Sequence, residues 1–250
     1  MNIGIYQSAA SLSALEQWQD AVAQNITSGQ VTGYRKRTVE FSAQASGGWQ
    51  LNPGATGGSG DSTEPALFPK ATAGISYAAG ETQPTGRDLD LAIQGDGFFE
   101  VQLPDGTRGY TRSGEFSLRA DETLVNSAND VVLGQSGSPV VLSPAGGKIT
   151  VNPDGSIVQG TTTVGQLAVV NFTSNGALTP SADGVFLASP GVTPQPVAKP
   201  QVQQGYLESS NSAPLGEMVN MVQISRAYEA NQHVITSADQ RMQKELNALG

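Results

Sequence analysis

The sequence predicts a mainly β protein with an α-helix at each end and a central domain of antiparallel strands. Three observations carry that prediction. Near both termini apolar residues recur at steps of three and four, a spacing that gathers them on one face of a helix. In the middle the period falls to two: Leu89, Leu91 and Ile93 alternate, then Phe99 and Val101, then Leu167 and Val169 with the neighbouring Val170. The 30 glycines and 14 prolines, set against 14% charged residues, suit short strands joined by tight turns.

Taken in order, steps of four and three pass from Met1 through Ile5, Ser8, Leu12, Leu15, Gln19, Val22 and Ile26, the a/d spacing of a coiled-coil seam. A helix of about 25 residues would be roughly 40 Å long. Gly29 and Gly33 follow it, as a C-cap and a turn. The run Arg35-Lys36-Arg37 reads as a solvated charge cluster just past a helix end. Residues 42–70 are filled with Gly, Ser, Pro and Thr and read as a loop or extended arm, with Trp49, Leu51, Leu67 and Phe68 as places to dock.

From residue 74 to 208 the strand runs are separated by Asp105-Gly106, Asp154-Gly155, Asn175-Gly176 and Asp183-Gly184, dipeptides that favour hairpin turns. With no helical run between them, these strands suit a sandwich or an irregular barrel. The last segment begins its helix near Pro214, with Ser212 or Asn211 as the cap and Glu217 at the positive end of the dipole. Its seam is Met221, Ile224, Tyr228, Asn231, Ile235, Ala238, Met242, Glu245 and Leu249. Asn231, polar in an apolar seam, reads as a register-setting residue, and Glu245 as one facing solvent. The domains expected are therefore helical segments at 1–33 and 212–250, an arm at 34–73 and a β domain at 74–208.

Composition and motifs exclude several functions. A net charge of −9 and 13 Lys and Arg, gathered only at 35–37, leave no footprint for nucleic acid. The chain has no cysteine for disulfides or thiolate metal sites, and one histidine, His233, is too few for a metal cluster or a triad. Asp88, Asp90 and Asp96 invite comparison with paired catalytic carboxylates. Asp88 and Asp90, however, alternate with Leu89 and Leu91, as the solvated face of a half-buried strand does. Gly95-Asp96-Gly97 reads as a tight turn, and Gly146-Gly147-Lys148 lacks the Ser or Thr of a phosphate loop. No enzyme, cofactor, metal or small-molecule substrate is expected. The first residues lack a basic n-region and a continuous apolar run, so neither a cleaved secretory signal nor a membrane span is expected.

Several motifs resemble those of the bacterial flagellar axial proteins, the rod and hook family. At the C-terminal side these are Glu208-Ser-Ser-Asn211, Glu217-Met218-Val219-Asn220-Met221-Val222 and Arg226-Ala-Tyr-Glu-Ala-Asn231. At the N-terminal side Asn25-Ile26-Thr27-Ser28 and Gly33-Tyr34-Arg35 are similar to that family's Asn-Leu-Ala-Asn…Thr-x-Gly-Phe-Lys pattern, with Ser28 and Val31 departing from it. The segments Leu89–Phe99 and Tyr110–Phe116 resemble the opening of the family's β domain. The length is more like that of its proximal or distal rod subunits than that of the longer hook protein.

The resemblance implies that the terminal helices pair as a coiled coil in an inner layer. It implies that the chain polymerises axially, with other copies of itself and other flagellar rod proteins as partners, in the torque-transmitting shaft. Export would use the flagellar type III apparatus without a cleaved signal, and the location would be the basal-body rod. Assembly residues would then be Ile5, Leu12, Leu15, Val22, Asn25, Ile26, Gly33 and Tyr34 on the N-terminal side. On the C-terminal side they would be Met218, Met221, Ile224, Arg226, Tyr228, Asn231, Ile235 and Met242.

An extracellular fibre or adhesin-like β protein that oligomerises through its helices is the competing class. Such a fibre would carry its coiled coil in one continuous block, whereas here the seams are split between the two ends. Lone helices are marginal in water, so the termini of the isolated monomer are expected to be poorly ordered. Circular dichroism with limited proteolysis checks this, and fully helical, protease-resistant termini in the monomer would refute it.

Overall fold

The computed structural model describes residues 3–45, 67–143, 146–181 and 184–249. Met1, Trp49, Leu51 and Asp183, and the side chains of Ile5, Asn175, Glu245 and Leu249, lie outside the described set. The chain divides into two compact units: Met1–Ile26, Arg37–Gly74 and Pro214–Gly250 form the first, Thr27–Lys36 and Ile75–Ala213 the second.

The first unit holds the helices α1 (Ile3–Thr27) and α2 (Pro214–Leu249) and a two-stranded ribbon, β1 (Arg37–Ala45) with β2 (Leu67–Ile75). Pro214 is the first residue of α2, where its missing N–H costs nothing, and Glu217 lies in the first turn. Of the loop or extended arm expected over residues 42–70, the described residues are extended and paired as strand, up to Ala45 and from Leu67. β-branched and aromatic residues (Thr38, Val39, Phe41) support an extended chain even where little is buried. Trp18 meets Phe41 edge to face, with ring centroids 5.6 Å apart.

The second unit is built of short antiparallel strands. They are β3 (Thr82–Pro84), β4 (Leu91–Ile93), β5 (Phe98–Gln102), β6 (Arg108–Thr111), β7 (Phe116–Leu118), β8 (Leu124–Asn126) and β9 (Val131–Val132). Then come β10 (Ile149–Val151), β11 (Ser156–Gln159), β12 (Thr162–Gln166), β13 (Val169–Asn171), β14 (Leu178–Pro180) and β15 (Val185–Ala188). The last are β16 (Gln195–Pro196), β17 (Val202–Gln204) and β18 (Tyr206–Glu208). The largest sheet runs β14-β15-β6-β5-β9-β8-β7, and β13 pairs with both β5 and β16.

Strand β5 is central and buried on both faces. Phe99 and Val101 enter one cluster with Leu91, Ile93, Phe116, Leu167 and Val169. Phe98 faces a second cluster with Tyr110, Phe172 and Phe186. Alternation therefore marks which core a residue joins, as Val169 and Val170 show by falling into different ones. Phe99 and Phe116 are fully buried and pack edge to face at 5.2 Å. Gly114 has to be glycine because a Cβ there would overlap the Leu91 carbonyl oxygen.

Hairpins form at Asp105-Gly106 and Asp154-Gly155, whose glycines have positive φ, and Gly184 likewise turns β14 into β15. Asn175-Gly176 instead opens a short 3-10 turn leading into β14. Gly95 and Gly97 are both left-handed, as a tight turn requires. Gly29 has no positive φ, so the expected left-handed cap is absent there; the conformation appears at Gly33 (φ 67). Asp90 is another correction. Residues 88 and 89 form a turn rather than a strand, so Asp88 is exposed while Asp90 is fully buried.

Three turns share one device. The carboxylates of Asp105, Asp121 and Asp154 accept the backbone N–H groups of Thr107 (2.8 Å), Thr123 (3.2 Å) and Ser156 (2.9 Å). These bonds, together with the Ser156 hydroxyl at Asp154, hold all three below the ordinary carboxylate value of 3.8. A carboxylate depressed in the folded state contributes its stability above the unfolded value and loses it as pH falls through the folded one. The amide signals of Thr107, Thr123 and Ser156 should therefore titrate with midpoints below 3.8, as NMR would record.

Candidate assembly interface

In the first unit Leu15 and Val22 of α1 and Ile224 of α2 form a buried apolar cluster, with Trp18, Ile26, Met221 and Ala227 packed against it. Most of the seam positions lie on this side of their helices. Leu12 is half-buried, as are Tyr228, Asn231 and Ile235, while Ser8 and Ala238 are buried. Gln19 departs, being exposed, and Ala14, Trp18, Ala21 and Asn25 turn the buried face of the helix away from it. The pattern of small and aromatic residues had hidden this rotation, because alanine carries little hydropathy signal. Asn231 donates to the Ala227 carbonyl one turn back at 3.1 Å. Arg226 and His233 are exposed, and Met242 is 41% exposed.

Of a second apolar stripe, only Met218 is among the assembly residues expected from the sequence. Leu215 is 78% exposed, and Met218, Val219 and Val222 are 51%, 54% and 52% exposed. At about 100° per residue these four fall on the side of α2 turned away from Ile224. The seam alone conceals Leu215, Val219 and Val222, although the i, i+3, i+4 and i+7 spacing of the four is itself a signal.

Asn25 is 1% exposed and closes the end of α1 onto the following strand. Its Nδ2 donates to the Arg37 carbonyl and its Oδ1 accepts the Arg37 N–H, both at 2.8 Å. This is a side chain acting as a strand partner, and it serves the fold of the protomer rather than a surface.

In the second unit Gly33 and Tyr34 are also buried, and the basic run is no solvated cluster. Arg35 is 3% exposed, and its Nη1 lies 2.7 Å from the Glu208 carboxylate and 2.9 Å from the Ala78 carbonyl. Glu208 also accepts the Gly80 N–H at 2.8 Å and lies 3.6 Å from Arg112. Arg112 donates to the carbonyls of Ile93 and Gly95 and lies over the ring of Phe98. Burial pushes the Arg112 guanidinium below its ordinary value, which the Glu208 carboxylate opposes and Arg35 reinforces. Burial likewise raises the Tyr77 hydroxyl, against the pull of Arg35. Asn211, expected as a helix cap, instead accepts from Lys36 N at 2.6 Å and donates to the carbonyls of Ser76 and Ala78 at 2.9 and 2.8 Å. These roles were invisible in sequence because the partners lie up to 175 residues apart.

Among the described residues no group of three or more His, Cys, Asp or Glu is placed to hold a metal ion. Among them no helix is long and apolar enough to cross a membrane. Residues 92–159 match the flagellar hook protein FlgE/F/G D1 domain, and residues 203–249 match the flagellar basal body rod FlgEFG protein C-terminal region. A flagellar basal-body rod protein FlgF from Caulobacter vibrioides is 30% identical over 232 residues, 92% of this chain and 91% of that one. The chain belongs to the flagellar basal-body rod protein family. A FlgG of Buchnera aphidicola is 32% identical over 180 residues, 67% of this chain and 68% of the relative. The FlgG of Bacillus subtilis is 29% identical over 260 residues, with 97% of each chain covered. Members of this rod family are structural proteins of the flagellar basal body rather than enzymes. The matched regions take in β5 and Arg112 at one end and Glu208, Asn211 and α2 at the other.

Replacing Asn25 with Ala would leave a part-buried donor and a part-buried acceptor of Arg37 without this partner. A loss of about 1–3 kcal/mol is expected, read as a lower urea midpoint at unchanged slope.

Proposed function

We propose that this rod-family chain is an axial subunit that polymerises through its terminal helices into part of the torque-transmitting shaft. The observation that carries the reading is the exposed apolar stripe Leu215, Met218, Val219 and Val222, which the protomer's own helix cluster leaves uncovered. Such a stripe seeks a partner, and a patch that meets a different patch on the next copy yields an open helical assembly rather than a closed dimer.

In this reading α1 and α2 pair as an antiparallel coiled coil. Supporting it, the buried positions on α1 step by seven through Ser8, Leu15 and Val22, while Ile224, half-buried Asn231 and buried Ala238 step by seven along α2. The shared cluster joins the end of α1 to the beginning of α2, as antiparallel pairing demands. Residues 1–33 with 212–250 would form the axial core, 34–73 an arm and 74–208 the β domain. Met218 lies in the outer stripe, whereas Met221, Ile224, Tyr228, Asn231 and Ile235 belong to the inner seam. Partners would be other copies and other flagellar rod proteins, after delivery by the flagellar type III export apparatus without a cleaved signal.

A charge placed in the stripe tests the reading. The double variant Val219→Asp, Val222→Asp should be exported and soluble at normal levels, yet fail to restore motility to a strain lacking this chain. Full motility with the double variant would overturn the proposal.

A further inference from the structure

The exposed stripe on α2 ends in a cation. At about 100° per residue Arg226 falls on the same side of the helix as Leu215, Met218, Val219 and Val222, one turn past Val222, and it is exposed. Glu229, His233 and Lys244 follow on that side, also exposed, and Glu229 is the one carboxylate among them. Among the described residues neither Arg226, Glu229 nor Lys244 has an ion-pair partner.

Helix α1 carries the counterpart. It has two acidic residues, Glu16 and Asp20, and no basic one. Both are exposed, one turn apart, on the side of α1 turned away from Leu15 and Val22. Like charges at that spacing repel within a helix, and no ion pair among the described residues relieves either one. Ala9 and Ser13, exposed on the same side in the preceding turns, are short. Short side chains leave room for the larger ones of a neighbouring helix, as close packing requires. Within one chain these two faces do not meet, because each lies on the far side of its helix from the shared cluster of Leu15, Val22 and Ile224.

We infer that the outer face of α2 seats on the outer face of α1 of a second copy, the two helices running in the same direction, with Arg226 between Glu16 and Asp20 and the stripe over Ala9 and Ser13. This pairing rests on the axial reading and names the occupant of its stripe. It joins two different faces, so each copy keeps one of each for the next neighbour and the contact propagates instead of closing. The apolar part supplies burial. The charges fix the register, since a slip of one turn would bring Glu229 against the two carboxylates.

Exchanging the charges in the full-length chain tests the pairing, scored as motility of a strain lacking this chain. Glu16→Lys with Asp20→Lys, and separately Arg226→Glu, should each abolish motility with export at normal levels, since all three sites are exposed. The triple variant Glu16→Lys, Asp20→Lys, Arg226→Glu restores opposite signs and should restore motility. The chain has no cysteine, so a copy with Ser13→Cys and a co-expressed copy with Val222→Cys report contact directly. In isolated basal bodies a mild oxidant should join them as a disulfide-linked dimer. Ser13→Cys with Lys244→Cys, about six turns further along α2, should give none. Motility of either one-sided variant, a triple variant no better than its parents, or absence of the first dimer would each overturn the inference, and the last beside non-motile one-sided variants would assign the stripe to a different protein. Motility of the Val219→Asp, Val222→Asp chain would overturn the axial reading itself.

Discussion

The β body depends on one constraint, that its first strands and its last be brought together. Antiparallel pairing does this twice, β3 with β18 and β4 with β17, so that residues 82–93 lie beside residues 202–208. Side-chain bonds then finish the closure. Glu208 reaches Arg35, Gly80 and Arg112, while Asn211 reaches Lys36, Ser76 and Ala78. Each of these bonds spans a long stretch of chain, so its loop-closure entropy is already met by the strand ladders that precede it.

The ion cluster is a costly way to close a domain. Burying one carboxylate and two guanidiniums forfeits hydration that mutual attraction only partly returns. An apolar plug would hold more tightly. What the charged closure adds is directionality: one oxygen of Glu208 accepts both the backbone N–H of Gly80 and a guanidinium N–H of Arg35, which fixes where the carboxylate sits. Around it the two apolar clusters supply most of the burial, sharing strand β5 as a common wall. The division of labour is therefore clear, with apolar packing holding the body and polar bonds fastening residues 35, 36 and 76–80 to Glu208 and Asn211 within it.

Helix α2 shows why an amphipathic pattern underdetermines its own use. It has one face turned to the cluster with Leu15 and Val22 and another exposed stripe beginning at Leu215. Apolar residues around more than one side of a surface helix are what a subunit needs when neighbours cover the rest. Membership of the rod family gives that second face a context, since its members are structural parts of an assembled organelle.

The sequence by itself determined the periods, and with them the helices at both ends, the antiparallel β middle and the turns at Asp105-Gly106 and Asp154-Gly155. Those features rest on local rules, the spacing of apolar residues and the conformational freedom of glycine, which act within a few residues. Tertiary structure alone decided what the polar residues do. Arg35 passed for a solvated cation, Asn211 for a helix cap and Asp90 for a strand's wet face, and all three are committed inside the second unit. Their partners lie far away in the chain, and no periodicity records a hydrogen bond between Lys36 and Asn211. The ribbon strands β1 and β2 escaped for a related reason: their pairing joins residues across a Gly- and Ser-rich segment, and little of either strand is buried enough to leave an apolar imprint.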